Sequence, residues 1–121
     1  MAGEIVHLEL PAGDTARSRE FWSSLLGWEF EVLEGPFEYH MARLGETQGV
    51  AVFPAQGSSA ARPYFSVDDV NASVARVREL GGQADDAQPV PGMGWFATCT
   101  DTEGTGFGFW QTDPNAQMPE Q

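Results

Sequence analysis

Lysine is absent from the 121-residue chain, and its six basic residues, all arginine, stand against 18 acidic ones. The formal net charge of −12 repels phosphate backbones and anionic headgroups, so neither nucleic acid nor a membrane surface is expected as a partner. Solubility alone accounts for such acidity. Cysteine is almost missing too. Cys99 stands alone, so no internal disulfide can form, and no histidine or helix N-terminus near it in sequence would activate it. It reads as a buried small hydrophobe. No apolar run approaches the roughly 20 residues that cross a bilayer. The first twenty residues carry Glu4, Glu9 and Asp14 where an export signal would be basic and then apolar. A reducing, cytoplasmic location is the expectation.

What is present is globular composition, 41% hydrophobic and 20% charged, at the length of a single domain. Residues 4–10 alternate, with Val6, Leu8 and Leu10 on one face and Ile5, His7 and Glu9 on the other, which predicts a strand ended by Pro11. Asp14 can cap a following helix whose Ser18, Phe21, Trp22 and Leu25 form an inward stripe, closed by Gly27. Strands are predicted at Trp28–Leu33, Phe37–Leu44 and Gly49–Pro54, separated by the turn-forming Glu34-Gly35-Pro36 and Gly45-Glu46-Thr47-Gln48. Residues 55–61 read as a flexible connector.

The order then repeats: a strand at Arg62–Val67, a cap at Asp68-Asp69, and a helix with Val70, Val74, Val77 and Leu80 inward, ended by Gly81-Gly82. Strands at Gln83–Ala87, Trp95–Thr100 and Gly106–Gln111 follow, then a polar, frayed tail. Ala12-Gly13-Asp14 aligns with Val67-Asp68-Asp69, and Gly27 with Gly82, so the chain is an internal duplication of pattern. The expected organisation is one α+β domain of two tandem βαβββ modules, 4–54 and 62–112, with a tail at 113–121.

The opening His7-Leu8-Glu9-Leu10-Pro11-Ala12-Gly13-Asp14, with Phe21-Trp22 and Leu26-Gly27-Trp28, resembles the vicinal-oxygen-chelate superfamily. In the second half Val67-Asp68-Asp69-Val70, Leu80-Gly81-Gly82, Asp101-Thr102-Glu103-Gly104 and Phe107-Gly108-Phe109-Trp110-Gln111 resemble its glyoxalase-like branch more closely. The resemblance spans residues 4 to about 112. It implies the fold of glyoxalase I, bleomycin-resistance proteins and extradiol dioxygenases, a mixed sheet curled into a trough. It does not name a reaction, because one fold hosts many.

Metal-using members take four ligands, one from the first and one from the last strand of each module. Carried over residue by residue, those positions fall on His7, Ala51, Arg62 and Gly108. Alanine and glycine have no donor atom, and a guanidinium has no lone pair to offer a cation. No metal and no other cofactor is therefore expected. A substitute ligand could come from Glu9, two residues on and on the same strand face as His7, or from His40 in the third strand, although neither lies at a family ligand position. Alternation places Glu9, Phe53, Tyr64, Ser66 and Trp110 beside the lost ligand positions, so the expected binding residues are His7, Phe53, Arg62, Tyr64, Ser66 and Trp110. Val6, Leu8, Leu10, Phe65, Val67, Phe107 and Phe109 are left to pack under the helices.

The function these residues favour is metal-free binding of a small aromatic or anionic molecule, with Arg62 pairing to its oxyanion. A salt bridge from Arg62 to Glu9 or Asp68 is the competing use of that charge. His7, Glu9 and Tyr64 are the candidates for acid–base catalysis. Two alternatives remain open: a metal-dependent lyase, like lactoylglutathione lyase, or dioxygenase of the same fold, and a protein-interaction module. A homodimer is expected, from the resemblance and from open edges at the first and fifth strands.

Overall fold

The computed structural model describes residues 3–33, 35, 37–55 and 60–117. Glu34 and Pro36 of the first predicted turn, residues 56–59 of the connector and residues 118–121 of the tail lie outside the described residues. The chain divides into two compact units, Val6–Arg62 and Pro63–Gln121, the second joined by Met1–Ile5.

In the first unit the strand order is β2 (Glu31–Val32), β3 (His40–Arg43), β4 (Gly49–Pro54), β1 (Ile5–Ala12). β1 runs parallel to β4, and the other pairs are antiparallel. Pro11 does not end β1. It stays in register with Phe53, and Ala12 accepts from the Ala55 backbone N–H at 2.9 Å. Proline removes only one donor, which a strand can lose without losing its other contacts.

Helix α1 (Thr15–Leu26) begins at Asp14, whose side chain accepts from the Arg17 backbone N–H, and ends at Gly27 in the left-handed region at φ 75°. Only glycine takes that conformation without strain. The helix packs against β4, where Val50 and Val52 are fully buried. Its orientation differs from the predicted stripe. Phe21 is 56% exposed and Leu25 60% exposed, whereas Thr15, Ser18, Arg19, Trp22 and Ser23 are half-buried. Trp22 stacks on Trp28 with ring centres 5.3 Å apart, and Thr15 hydrogen-bonds Glu38. These two anchors turn the helix so that Phe21 meets Trp22 edge-on and Leu25 faces out. Because Trp28 and Phe30 pack together on this side, β2 keeps only two residues of the predicted Trp28–Leu33 strand.

The second unit has the order β5 (Arg62–Ser66), β9 (Gly106–Thr112), β8 (Gly94–Thr100), β6 (Gln83–Ala84), and β7 (Gln88–Val90) also pairs with β8. Of the strand predicted over Gln83–Ala87 only Gln83–Ala84 is extended in the sheet, and β7 is a further short strand beyond it. Helix α2 (Val70–Glu79) buries Val70 and Val74 against Ala97, with Val67, Trp95 and Phe109 around them. Leu80 is the C-cap rather than a core residue and is 60% exposed. Gln111 Oε1 accepts from the Val70 backbone N–H at 2.8 Å, satisfying a donor at the start of α2.

The tail is not frayed where it begins. Gly92 donates to the Ala116 carbonyl at 2.9 Å, Trp95 Nε1 donates to Asp113, and Ala116 is buried. The edge expected at the fifth strand is partly covered, because Gly3 and Glu4 pair with Ser66 of β5 within the second unit.

Candidate functional site

Pairing fixes which side chains share a face. The partners His7 and Gly49, Glu9 and Ala51, Pro11 and Phe53 lie opposite each other in the β1–β4 ladder, and Met41 lies opposite Ala51 on β3. Paired residues point to the same side of a sheet, so His7, Glu9, Met41, Ala51 and Phe53 share one face and Val50, Val52 and His40 the other.

On the first face a hydrogen-bonded row crosses the unit. His7 Nε2 lies 2.7 Å from the Tyr39 hydroxyl, which donates to Glu9 Oε2 at 2.9 Å, and Arg62 Nη1 reaches Glu9 Oε1 at 3.5 Å. The Tyr39 ring leans on Phe53 with centres 5.9 Å apart. Burial lowers the pKa of His7 from its ordinary 6.5, and the nearby Glu9 charge only partly offsets that. His7 is therefore neutral at pH 7, with one ring nitrogen donating and one accepting.

Tyr39 escaped the sequence reading, although the signal was there. Within the predicted strand Phe37–Leu44 it shares parity with Met41 and lies out of phase with His40. The structure turns His40 the opposite way: it is buried, and its Nε2 lies 2.8 Å from Glu38 Oε2. Glu38 also accepts from Thr15, and these two bonds hold its carboxyl below the usual carboxylate range. That cluster ties β3 to α1 and faces away from His7.

In the second unit, the closing position of a metal set, Gly108, is covered by Tyr64. A β-carbon on Gly108 would stand 2.4 Å from Tyr64 Cε2 and 2.9 Å from the Ala97 carbonyl oxygen. Tyr64 is 4% exposed and fills the space a ligand side chain would need. Ser66 is half-buried opposite Trp110, whose Nε1 donates to Thr112 Oγ1 at 3.0 Å and whose ring lies over Gly94.

These residues do not fit the four-ligand metal centre that the fold implies. Ala51 is fully buried and has no donor, Gly108 is roofed by a phenol ring, and Arg62 is a cation already turned to Glu9. Among the described residues no group of three or more His, Cys, Asp or Glu side chains is arranged to hold a metal ion.

A family model described as the glyoxalase-like domain matches residues 6–109. The chain belongs to the glyoxalase-like domain family. This glyoxalase-like chain is 30% identical over 114 residues to a glyoxylase-like domain-containing protein of Didymella fabae, covering 84% of this chain and 88% of that one. It is 31% identical over 116 residues to a putative glyoxylase of Mycobacterium tuberculosis, covering 88% of this chain. It spans only 44% of that mycobacterial relative.

Among solved structures, a methylmalonyl-CoA epimerase in complex with methylmalonyl-CoA superposes with a TM-score of 0.75 at 14% identity, covering 98% of this chain and all of that one. The Streptomyces coelicolor methylmalonyl-CoA epimerase holding 2-nitronate-propionyl-CoA gives 0.73 at 17% identity, covering 93% of this chain and 99% of that one. At such identities the likeness establishes the fold alone: tandem βαβββ modules of the glyoxalase, bleomycin-resistance and dioxygenase type.

Proposed function

We propose that this glyoxalase-like chain binds a small aromatic or anionic molecule beside the His7, Glu9 and Arg62 row, with Phe53 as an apolar neighbour, and that it does so without a metal ion. The observation that carries the reading is the replacement of a ligand set by a polar row joined through Tyr39, with an arginine at one end. An arginine offers an oxyanion what a divalent cation would, a fixed positive charge, and adds directional donors. The fold neighbours named above carry small acyl-CoA molecules, which supports a small-molecule ligand here.

Trp fluorescence and thermal-shift titrations with aromatic acids test the reading. A saturable response is expected, and Arg62→Ala should weaken binding by about 1.5–3 kcal/mol, the range for a hydrogen bond to a charged group. A chain that answers to divalent metals but to no small organic molecule would overturn it. Acid–base catalysis by His7 and Glu9 is a second reading, favoured by the Tyr39 hydroxyl that joins them. Loss of turnover of a glyoxylase-type substrate in His7→Gln, with ligand binding intact, is its test.

A further inference from the structure

Arg62 carries an observation that its pairing with Glu9 leaves unexplained. Its Nε is buried and has no hydrogen-bond partner among the described residues. Its contact with Glu9 is 3.5 Å, well beyond the roughly 2.7–2.9 Å of a charge-assisted bond. A buried donor on a charged group that lacks a partner is costly, and native structures rarely keep one without a use.

The reason Glu9 does not close the gap is visible on its other oxygen. The Tyr39 hydroxyl has one proton and gives it to Glu9 Oε2, so the 2.7 Å contact to Tyr39 must be donated by His7 Nε2. The row is polarised from His7 to Tyr39 to Glu9, and it fixes Glu9 Oε2 on the Tyr39 hydroxyl while Oε1 stays 3.5 Å from the guanidinium. Arg62 is thereby left with an edge whose Nε–H is buried and has no hydrogen-bond partner among the described residues. That edge, formed by Nε–H and a terminal N–H in one plane, matches the two oxygens of a single carboxylate.

We propose that Arg62 is a carboxylate fork whose Nε edge takes the two oxygens of a small planar carboxylate, and that Tyr39 is a positioning residue that keeps Glu9 from occupying it. The proposal rests on the small-molecule reading above and narrows the ligand to a carboxylic acid in its ionised form. Tyr39 acts through Glu9 and needs no contact with the ligand.

Arginine Nε–H resonances of the full chain provide the test, with six signals for six arginines and Arg62 assigned by its loss in Arg62→Lys. Benzoate is titrated against benzamide, which has the same ring but one acceptor oxygen and no charge. Benzoate should shift the Arg62 Nε–H signal saturably, and benzamide should leave it in place. Arg62→Lys keeps the charge but loses the fork, and should bind benzoate roughly tenfold more weakly, the lower end of the charged hydrogen-bond range.

Tyr39→Phe removes the bond that fixes Glu9 Oε2, should let the carboxylate move onto Arg62, and should thereby weaken benzoate binding. Adding Glu9→Gln to Tyr39→Phe removes the competing charge and should restore it, a rescue that a packing role for Tyr39 would not produce. Equal binding of benzamide, or saturable benzoate shifts elsewhere with the Arg62 signal unmoved, overturns the fork but leaves the small-molecule reading standing. Unchanged affinity in Tyr39→Phe overturns the positioning role. If neither probe shifts any resonance, both the fork and the reading beneath it fail.

Discussion

Restoring a side chain to Gly108 should harm the protein rather than repair a metal site. The β-carbon of Gly108→Ala would lie 2.4 and 2.5 Å from two atoms of the Tyr64 ring and 2.9 Å from the Ala97 carbonyl oxygen. A ring edge can shift, but the Ala97 carbonyl oxygen belongs to the backbone of β8, the strand paired with β9 at Gly108. Gly108 does not have a positive φ, so the conformational cost of alanine is absent and its effect on the unfolded chain is favourable by about 0.4–1 kcal/mol. Overpacking a filled site costs about 1–3 kcal/mol, so the clash wins. For a domain of this size that lowers Tm by roughly 4–10 °C. Gly108→Glu, which would put back the family's closing carboxylate, should cost more, because the charge would enter a space already roofed by Tyr64. Gly45→Ala is the control, since a β-carbon there meets nothing within 4 Å. Urea denaturation is the assay, with a lower midpoint and an unchanged m-value expected for Gly108→Ala. A Gly108→Ala variant as stable as Gly45→Ala would refute the claim that Tyr64 has taken the ligand's place.

Helix capping, the His7 environment and the oligomeric state each give a further measurable outcome. Gln111→Ala should lower stability by about 0.5–2 kcal/mol, the range for losing a helix-start acceptor, while Gln111→Glu keeps the acceptor and most of the stability; thermal melts separate them. The His7 ring protons should titrate with a midpoint below 6.5 by NMR, and Glu9→Gln, which removes the charge that raises it, should push the midpoint lower still. Since the folded state disfavours charged His7, its contribution to stability is full above pH 6.5 and is lost as pH falls through the depressed folded value. Light scattering should give twice the 13.1 kDa chain mass if copies pair as the family resemblance implies, and a single-chain mass would remove that expectation.

The fold was legible because its signals are local and redundant. Alternation in β1, the Asp14 and Asp69 caps and Gly27 in its left-handed turn each act within a few residues. The errors came where tertiary contacts decide. The stack of Trp22 on Trp28 rotated α1 and put Phe21 and Leu25 outside, which no helical periodicity records. Parallel pairing with β4 carried β1 through Pro11, and hydrogen bonds from Gly92 and Trp95 ordered the start of the tail.

At the site, strand parity alone brought His7, Glu9 and Phe53 to one face. The role of Tyr39 needed the third dimension, because its partners are 30 and 32 residues away in sequence. The long Arg62 to Glu9 contact is likewise a matter of fractions of an ångström, and a sequence holds no such information.

The metal-free reading requires Arg62 to stand where metal-using members of this fold carry a ligand. The most direct test is elemental analysis of the chain purified after growth with added zinc, nickel, manganese and iron and then dialysed. No stoichiometric metal is expected. About one equivalent of any of these ions, the occupancy of a built nitrogen and carboxylate site, would contradict it.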